Sequence, residues 1–413
     1  MTCDEMDKEY QQLFAAESNI GRLSNGGTNR MALTGDDDEQ RRWFIGRLQA
    51  SGARIVVDQV GNIFGLFEWN NDNVYVIAGS HLDSQENGGL FDGAYGVIAA
   101  LAAAAQIQRS VRAGAVHPHF NLAIVAWTNE EGARFEPSIM GSRVFTGALS
   151  YDDIADSVDE HGVRFGDEIE ARGWKGSGDW RPQVQSYVEI HVEQGLHLKE
   201  ASCDIGIVTG NWAAVKIDMK VEGEQSHTGA TEMSRRKDAL YGASLVVCEA
   251  RELADSYPDD AVHTSVTKMR TFPHSPNIVT SLCTFHVEIR SEYYETAREA
   301  ENSFMNRCEE LSHRGNVSIA ATHVERRDSM RYWEPGLDIA QQVAREEGLS
   351  CMQMKTISGH DSVAINAICP TIMLFAPSNG GYAHSPREST DQDAQLKGVH
   401  ELFGVMCKLL QTV

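Results

Sequence analysis

Residues 73–108, NVYVIAGSHLDSQENGGLFDGAYGVIAALAAAAQIQ, read as a strand, a glycine-rich loop and a buried helix in direct succession. The run VYVIAG is short, β-branched and aromatic, which suits a strand, and GVIAALAAAAQIQ is apolar on every face, which suits a helix enclosed by other elements. The loop between them carries His81, Asp83 and Asp92. It lies just past the carboxyl end of the strand, where open α/β sheets place their ligands. Glycines in that loop let the backbone fold the three polar groups together.

The same strand-and-helix alternation runs from about residue 35 to 210. DDDEQRRWFIGRLQASGA (36–53) has acids in its first turn and a glycine past its end, as a helix prefers. NLAIVAW (121–127) and SYVEIHV (186–192) are further strands. From about 212 to 324 the pattern changes. There the strand AAVKIDMKVEG is followed by a helix from Arg235 to about Tyr257, then by the strands SVTKMRTF and SLCTFHVEIR. A helix from Glu292 to about Arg314 and the strand VSIAATHVE complete the stretch. This βαββαβ order is the ferredoxin-like signature. A helix near 337–347 and the strand PTIMLFAP then resume the first pattern. The expected organisation is therefore an α/β domain formed by 1–211 and 325–413, with a second domain, 212–324, inserted into it.

Each candidate strand of the larger domain is followed by polar groups suited to metal or acid–base chemistry. Glu130 and Glu131 follow LAIVAW, His191 ends SYVEIHV, and His384 lies in the loop after TIMLFAP. Taken singly, a His-x-Asp in a loop is an ordinary surface hydrogen-bonded pair. Adjacent glutamates are a solvated charge pair, and a lone strand histidine is a satisfied core residue. Joint placement after four separate strands brings a metal site level with those plainer readings. His117 and His119, in HPHF, have ligand spacing but precede a strand and stand apart from this set.

The composition of the 413-residue chain narrows the partners. The formal net charge of −23 disfavours nucleic acid and anionic membranes, so a small molecule is the expected partner. The apolar run Val97–Ala105 is far short of the roughly 20 residues that cross a bilayer. The acidic N-terminus lacks the basic and apolar regions of a signal peptide. A cytoplasmic location is the expectation. The eight cysteines are scattered, without a C-x-x-C pair, so neither a disulfide framework nor a thiolate metal site is indicated.

Seven ordered motifs carry a family resemblance: GSHLDSQENGGLFDGAYG, TNEEGARFEPSIMGSRVFTG, EIHVEQG, SHTGATEMSRRKDAL, PNIVTSLCTFHVEIR, SGHDS and PSNGGYAHSPREST. From about Gly21 to the C-terminus the sequence resembles the carbamoylase branch of the dinuclear-metal amidohydrolases. That branch includes N-carbamoyl-L-amino acid hydrolases, β-ureidopropionases and allantoate amidohydrolases, and is related to aminoacylase and carboxypeptidase G. The resemblance implies a mixed-sheet, metallopeptidase-like catalytic domain with an inserted ferredoxin-like domain that serves as lid and dimerisation element.

It further implies two divalent ions per subunit, Zn²⁺ or Mn²⁺, with Co²⁺ or Ni²⁺ as other occupants. His81, Asp92 and His191 would hold one ion and Asp92, Glu131 and His384 the other. Two such ions can share a carboxylate and a water and lower that water's pKa toward neutrality. Asp83 would accept the second N–H of His81. Glu130, unable to point the same way as Glu131 on an extended segment, would be the general base. Asn277 and Arg290 match residues that bind the substrate carboxylate, a role that suits a guanidinium fork. His227 matches a residue that stabilises the oxyanion across a homodimer. Gln194 and Gly359 match positions that contact the ureido or carboxylate group, and His360 and Asp361 match positions near the ligands.

The implied reaction is hydrolysis of an N-carbamoyl-L-amino acid to amino acid, ammonia and carbon dioxide. Allantoate, a β-ureido acid or an N-acyl amino acid are the other substrates implied, and a catalytically silent metal-binding scaffold is the non-enzyme reading. Retention of Glu130 disfavours the scaffold. Ser84, Glu232, Ser358 and Trp212 depart from the family pattern, which bears on the substrate more than on the chemistry.

Overall fold

The computed structural model describes residues 3–178 and 180–411, the side chain of Cys3 excepted. The chain divides into two compact units. One comprises residues 1–209, 332–354 and 359–413; the other comprises 210–331 with 355–358.

In chain order the strands are β1 (Arg54–Val57), β2 (Ile63–Phe67), β3 (Val74–His81), β4 (Asn121–Trp127), β5 (Gln183–Val192) and β6 (Ile205–Asn211). They continue with β7 (Ala213–Glu222), β8 (Ser226–His227), β9 (Val262–Phe272), β10 (Ile278–Val279), β11 (Leu282–Ser291) and β12 (Ser318–Arg327), and close with β13 (Cys351–Thr356) and β14 (Thr371–Ala376).

The first unit is built on an eight-stranded mixed sheet of order β1-β2-β4-β3-β5-β14-β6-β13. Its centre is parallel, with β4, β3, β5 and β14 side by side in one direction. β2 joins β4 antiparallel, and β6 joins β14 antiparallel. The central strands are buried along nearly their whole length, as a sheet covered on both faces requires. On one face lie the helices Ala94–Arg112 and Gln392–Gln411, packed on each other and on β3 and β5. On the other, Phe64, Tyr75, Trp127, Tyr187 and Ile365 form a second core.

Helix Ala94–Arg112 has no exposed residue until its last turns, in keeping with its all-round apolar sequence. Helix Gly35–Ala50 begins where the Thr34 hydroxyl accepts the Asp37 amide and ends before Gly52 at φ +91°.

Several elements differ from the sequence reading. β1 and β2 are short, and their antiparallel pairing at the sheet edge has no helical spacer to announce it. Helices Cys3–Glu17 and Gln392–Gln411 were likewise not anticipated. The helix expected from Arg235 starts at Ala239, because the Asp238 carboxylate caps the Leu240 and Tyr241 amides.

In the second unit β7, β9, β11 and β12 form an antiparallel sheet of order β12-β7-β11-β9. Helices Ala239–Asp255 and Tyr294–Gly315 pack on one face over Val215, Ile217, Met219, Phe285, Val287 and Ile289. With the two-residue strands β8 and β10 set aside, the element order is βαββαβ. Among the described residues no helix is long and apolar enough to cross a membrane.

Candidate metal centre and active site

Four parallel strands deliver the candidate residues at their carboxyl ends. β3 ends in His81, and β5 carries His191 next to its last residue, each three positions past the paired Ala78 and Val188. Glu130 and Glu131 follow β4. His384 follows β14, in a left-handed conformation at φ +51°. Asp92 lies in the loop after β3, two residues before helix Ala94–Arg112. Between them, Gly93 at φ +64° is forced to be glycine, because a Cβ there would overlap the His81 ring.

The loops bring five of these residues together in two overlapping groups: His81, Asp92 and His191, and Asp92, Glu131 and His384. In each group the donor atoms lie within 4.8 Å of one another. Asp92 Oδ1 is 3.4 Å from His81 Nε2 and 3.1 Å from His191 Nε2. Asp92 Oδ2 is 3.3 Å from His384 Nε2, which is also 3.3 Å from Glu131 Oε2. Ligands about 2.0–2.1 Å from a tetrahedral ion are separated by about 3.3 Å, so these spacings match donors converging on a shared cation. The donor set, three imidazoles and two carboxylates, suits borderline and hard divalent ions. His117 and His119 belong to neither group.

The ring orientations are fixed from behind. His81 Nδ1 lies 2.9 Å from the main-chain carbonyl of Asp83, and His191 Nδ1 lies 2.9 Å from that of Val192, which leaves both Nε2 atoms facing Asp92. The Asp83 carboxylate does not make the contact expected of it. That carboxylate is 3.8 Å from His81 Nδ1 and instead accepts the amides of Glu130 and Glu131 at 3.1 and 3.3 Å. With the carboxylate turned toward those two amides, the carbonyl takes the position at the ring.

The separation of Glu130 from Glu131 also has a different origin from the extended segment expected. Residues 128–131 bend, with Asn129 left-handed at φ +54°, and the Ile139 amide donates to the Glu130 carbonyl at 2.6 Å. Glu131 turns toward His384. Glu130 remains buried, with Oε2 3.6 Å from His81 Nε2.

Burial dominates the electrostatics. Desolvation pushes the Glu130 carboxyl well above the ordinary range against the pull of His81, and the nearby Asp361, Glu131 and Asp83 raise it further. Burial raises Glu131 too, aided by Asp92. Burial acts the same way on Asp92, but His191, His384 and His81 outweigh it and hold Asp92 well below the carboxylate range. Partial desolvation at the half-exposed His384 disfavours its charge, yet Asp92 and Glu131 lift it to about 9. In the absence of a cation, acids and imidazoles stabilise one another's charges.

Two residues without a role in the sequence reading, Gln85 and Glu388, contact the ligands, and a third, Glu189, braces the strand ends beside them. The Gln85 side-chain amide donates to Glu131 Oε2 at 2.9 Å. Glu388 Oε1 accepts the Phe91 and Asp92 amides at 2.7 and 2.9 Å. Glu189, two residues before His191, accepts Ser80 Oγ at 2.7 Å and the Ser362 amide at 2.8 Å. The only signal for Glu189 is an acid inside the apolar run YVEIHV; Glu388 is signalled only by its place four residues after His384.

Gln194, matched to a substrate-binding position, donates to Asp92 Oδ2 at 2.6 Å from a left-handed backbone. Gly359 sits in the loop before helix Asp361–Ile365. The His360 ring lies 4.6 Å from that of His191, and Asp361 Oδ1 accepts Ser142 Oγ at 2.5 Å.

His227, Asn277 and Arg290 belong to the second unit. β8 pairs with β10, setting His227 opposite Ile278, and the Thr228 amide donates to the Asn277 carbonyl at 3.3 Å. The exposed His227 ring accepts the Gly229 and Ala230 amides through Nδ1, which leaves Nε2 free of that turn. Arg290, next to the last residue of β11, donates to both Glu288 oxygens at 2.9 Å and to the Ile357 carbonyl.

Comparison with known proteins identifies the family. The model of peptidase family M20/M25/M40 matches residues 77–408. A protein of Mycolicibacterium smegmatis, described only as a hydrolase, is 38% identical over 98% of this chain and 93% of its own. An allantoate amidohydrolase of Bacillus subtilis is 30% identical over 94% of both chains. The crystal structure of a hydantoinase/carbamoylase family amidase from Burkholderia vietnamiensis superposes with a TM-score of 0.93 at 27% identity, covering 98% of this chain and 97% of that one. With its mixed parallel sheet and its match over most of its length, this chain belongs to the M20/M25/M40 peptidase family and is an amidohydrolase within it.

Proposed function

We propose that the protein hydrolyses an α-ureido carboxylate, an N-carbamoyl-L-amino acid in the first instance, to the amine and carbamate, which decays to ammonia and carbon dioxide. The observation that carries the hydrolytic part of this reading is Glu130. It is a buried carboxylate 3.6 Å from His81 Nε2 that belongs to neither donor group, and so is available for proton transfer. The relatives named for allantoate and carbamoyl substrates support the ureido class. Allantoate itself is the second reading, because it presents the same ureido group next to a carboxylate.

His81, Asp92 and His191 would hold one divalent ion and Asp92, Glu131 and His384 a second, of Zn²⁺, Mn²⁺, Co²⁺ or Ni²⁺. Bound there, such ions polarise the ureido carbonyl and lower the pKa of water at the site. The chain's own residues supply the rest. Glu130 Oε2 takes the proton of the attacking water and delivers it to the departing amine nitrogen, a shuttle favoured by the upward pull of burial on its pKa. Asp83 holds the amides of Glu130 and Glu131, so base and ligand keep a fixed spacing. Gln194 and Gly359 are assigned to the ureido end, and Asn277 and Arg290 to the substrate carboxylate. His227 is assigned to the oxyanion of a partner subunit's site, which makes the working form a homodimer through the second unit, in the cytoplasm.

The test is a screen of purified protein, loaded with each metal in turn, against N-carbamoyl-L-amino acids, allantoate, β-ureido acids and N-acyl amino acids. Ammonia and free amine are measured separately. Equimolar ammonia and amino acid from N-carbamoyl substrates support the proposal; release of amine only from N-acyl substrates overturns it.

A further inference from the structure

We infer that Glu388 is a clasp that assembles the His384 half of the metal centre, an inference that rests on the dinuclear reading proposed above. Glu388 and His384 share one loop after β14, four residues apart. The buried Glu388 carboxylate leaves that loop and receives, on Oε1 alone, the amides of Phe91 and Asp92. Asp92 is common to both donor groups, and His384 belongs to one. The carboxylate therefore ties the backbone of the shared ligand to the loop that presents the other.

The junction is closely built. A Cβ on Gly89 would overlap the Glu388 carboxylate, and the Thr28 and Gly88 main chains bond to each other in both directions at 3.0 and 2.9 Å. Glu388 Oε2 is buried without a hydrogen-bond partner, so one oxygen carries both contacts while the charge of the whole group faces the Asp92 loop. His81 and His191 are held independently, on adjacent strands and by their own carbonyl contacts. Among the described residues, no main-chain carbonyl is recorded behind the His384 ring as behind those two. Its side chain is 48% exposed and its backbone is left-handed. Loss of the clasp is thus felt at His384 and spares the histidine pair.

The test compares the wild-type protein with Glu388→Ala, Glu388→Gln and Gly89→Ala, each freed of metal with a chelator and titrated with Co²⁺ by calorimetry and visible absorption. Gln keeps the accepting oxygen and should bind both ions. Ala should keep one ion at wild-type affinity and bind the second about 10–100-fold more weakly, the usual range for an outer-shell partner. Gly89→Ala, which displaces the carboxylate from outside, should reproduce the Ala pattern, and it serves as the measurement if Glu388→Ala fails to fold. Two ions bound by Glu388→Ala or Gly89→Ala at wild-type affinity overturn the clasp, as does equal weakening of both. A wild-type protein that binds fewer than two ions overturns instead the dinuclear reading beneath it.

Discussion

Replacing Glu130 by Gln separates the base from the ligands. The main chain at Glu130 is held independently of its side chain, by the Asp83 carboxylate on the amide at 3.1 Å and the Ile139 amide on the carbonyl at 2.6 Å. The carboxamide therefore occupies the same volume in the same place. It cannot accept and return a proton, and loss of a general base is worth about 10²–10⁴ in kcat, or roughly 3–5 kcal/mol of barrier. Because Glu130 belongs to neither donor group, the ion content and KM should stay near those of the wild type. Burial disfavours a charge on this carboxyl more than His81 favours it, and Asp361, Glu131 and Asp83 add to the penalty, so the metal-free protein should melt no lower than its parent at neutral pH. The assay pairs steady-state ammonia release with metal analysis of the same sample. A fall in kcat of less than tenfold with both ions in place would falsify the assignment, and loss of an ion would mean that Glu130 is itself a ligand.

Gly93→Ala should cost most of the activity and weaken metal binding at His81, since the added methyl needs the space of that ring and a strained φ; unchanged Co²⁺ affinity contradicts this. Arg290→Ala should raise KM while leaving kcat within about threefold, and His227→Ala should lower kcat by about 10²–10³. Mixed, subunit-exchanged dimers of the two variants should regain activity if His227 serves a neighbouring chain, and an exchanged mixture as inactive as its parents excludes that. Glu401 is fully buried with neither oxygen hydrogen-bonded, and burial together with Glu347 raises it from near 4.5 to about 8. The folded chain keeps this proton after the unfolded chain has lost it, so stability is greatest below about pH 4.5 for this group and declines by about 1.4 kcal/mol per pH unit up to about 8. Glu401→Gln should flatten that slope in chemical denaturation between pH 5 and 8; an unchanged slope rules out this origin.

The α/β class was legible because its decisive elements are extreme. VYVIAG, NLAIVAW and TIMLFAP are enclosed on both faces and read as unbroken apolar runs, and helix Ala94–Arg112 has no polar stripe to confuse it. β1 and β2 escaped notice because a four- or five-residue edge pair has neither a helical spacer nor a long apolar run. The five donors were legible as a set because parallel strands put all their carboxyl ends on one edge, so position after a strand is a spatial coordinate. What surrounds them was not. Whether Asp83 meets His81 by carboxylate or carbonyl depends on the Glu130 and Glu131 amides that take the carboxylate, and the bend at Asn129 depends on amides donated from residues 139–141. Glu388 reaches the Asp92 loop across 296 residues of sequence, a contact with no local pattern to betray it.

The place of β14 between β5 and β6 governs how the protein is made. On the ribosome, β3, β4 and β5 can pair as they emerge, but the outer edge of β5 has no partner until Thr371–Ala376 has been synthesised, after every strand of the second unit. That edge is ten residues long and parallel-pairing, a template for association with other chains while it waits. His384 follows β14 in the chain, so the fifth donor is made only after that strand. The second donor group is therefore complete only after β14, and with it the loop that carries His384, has been made.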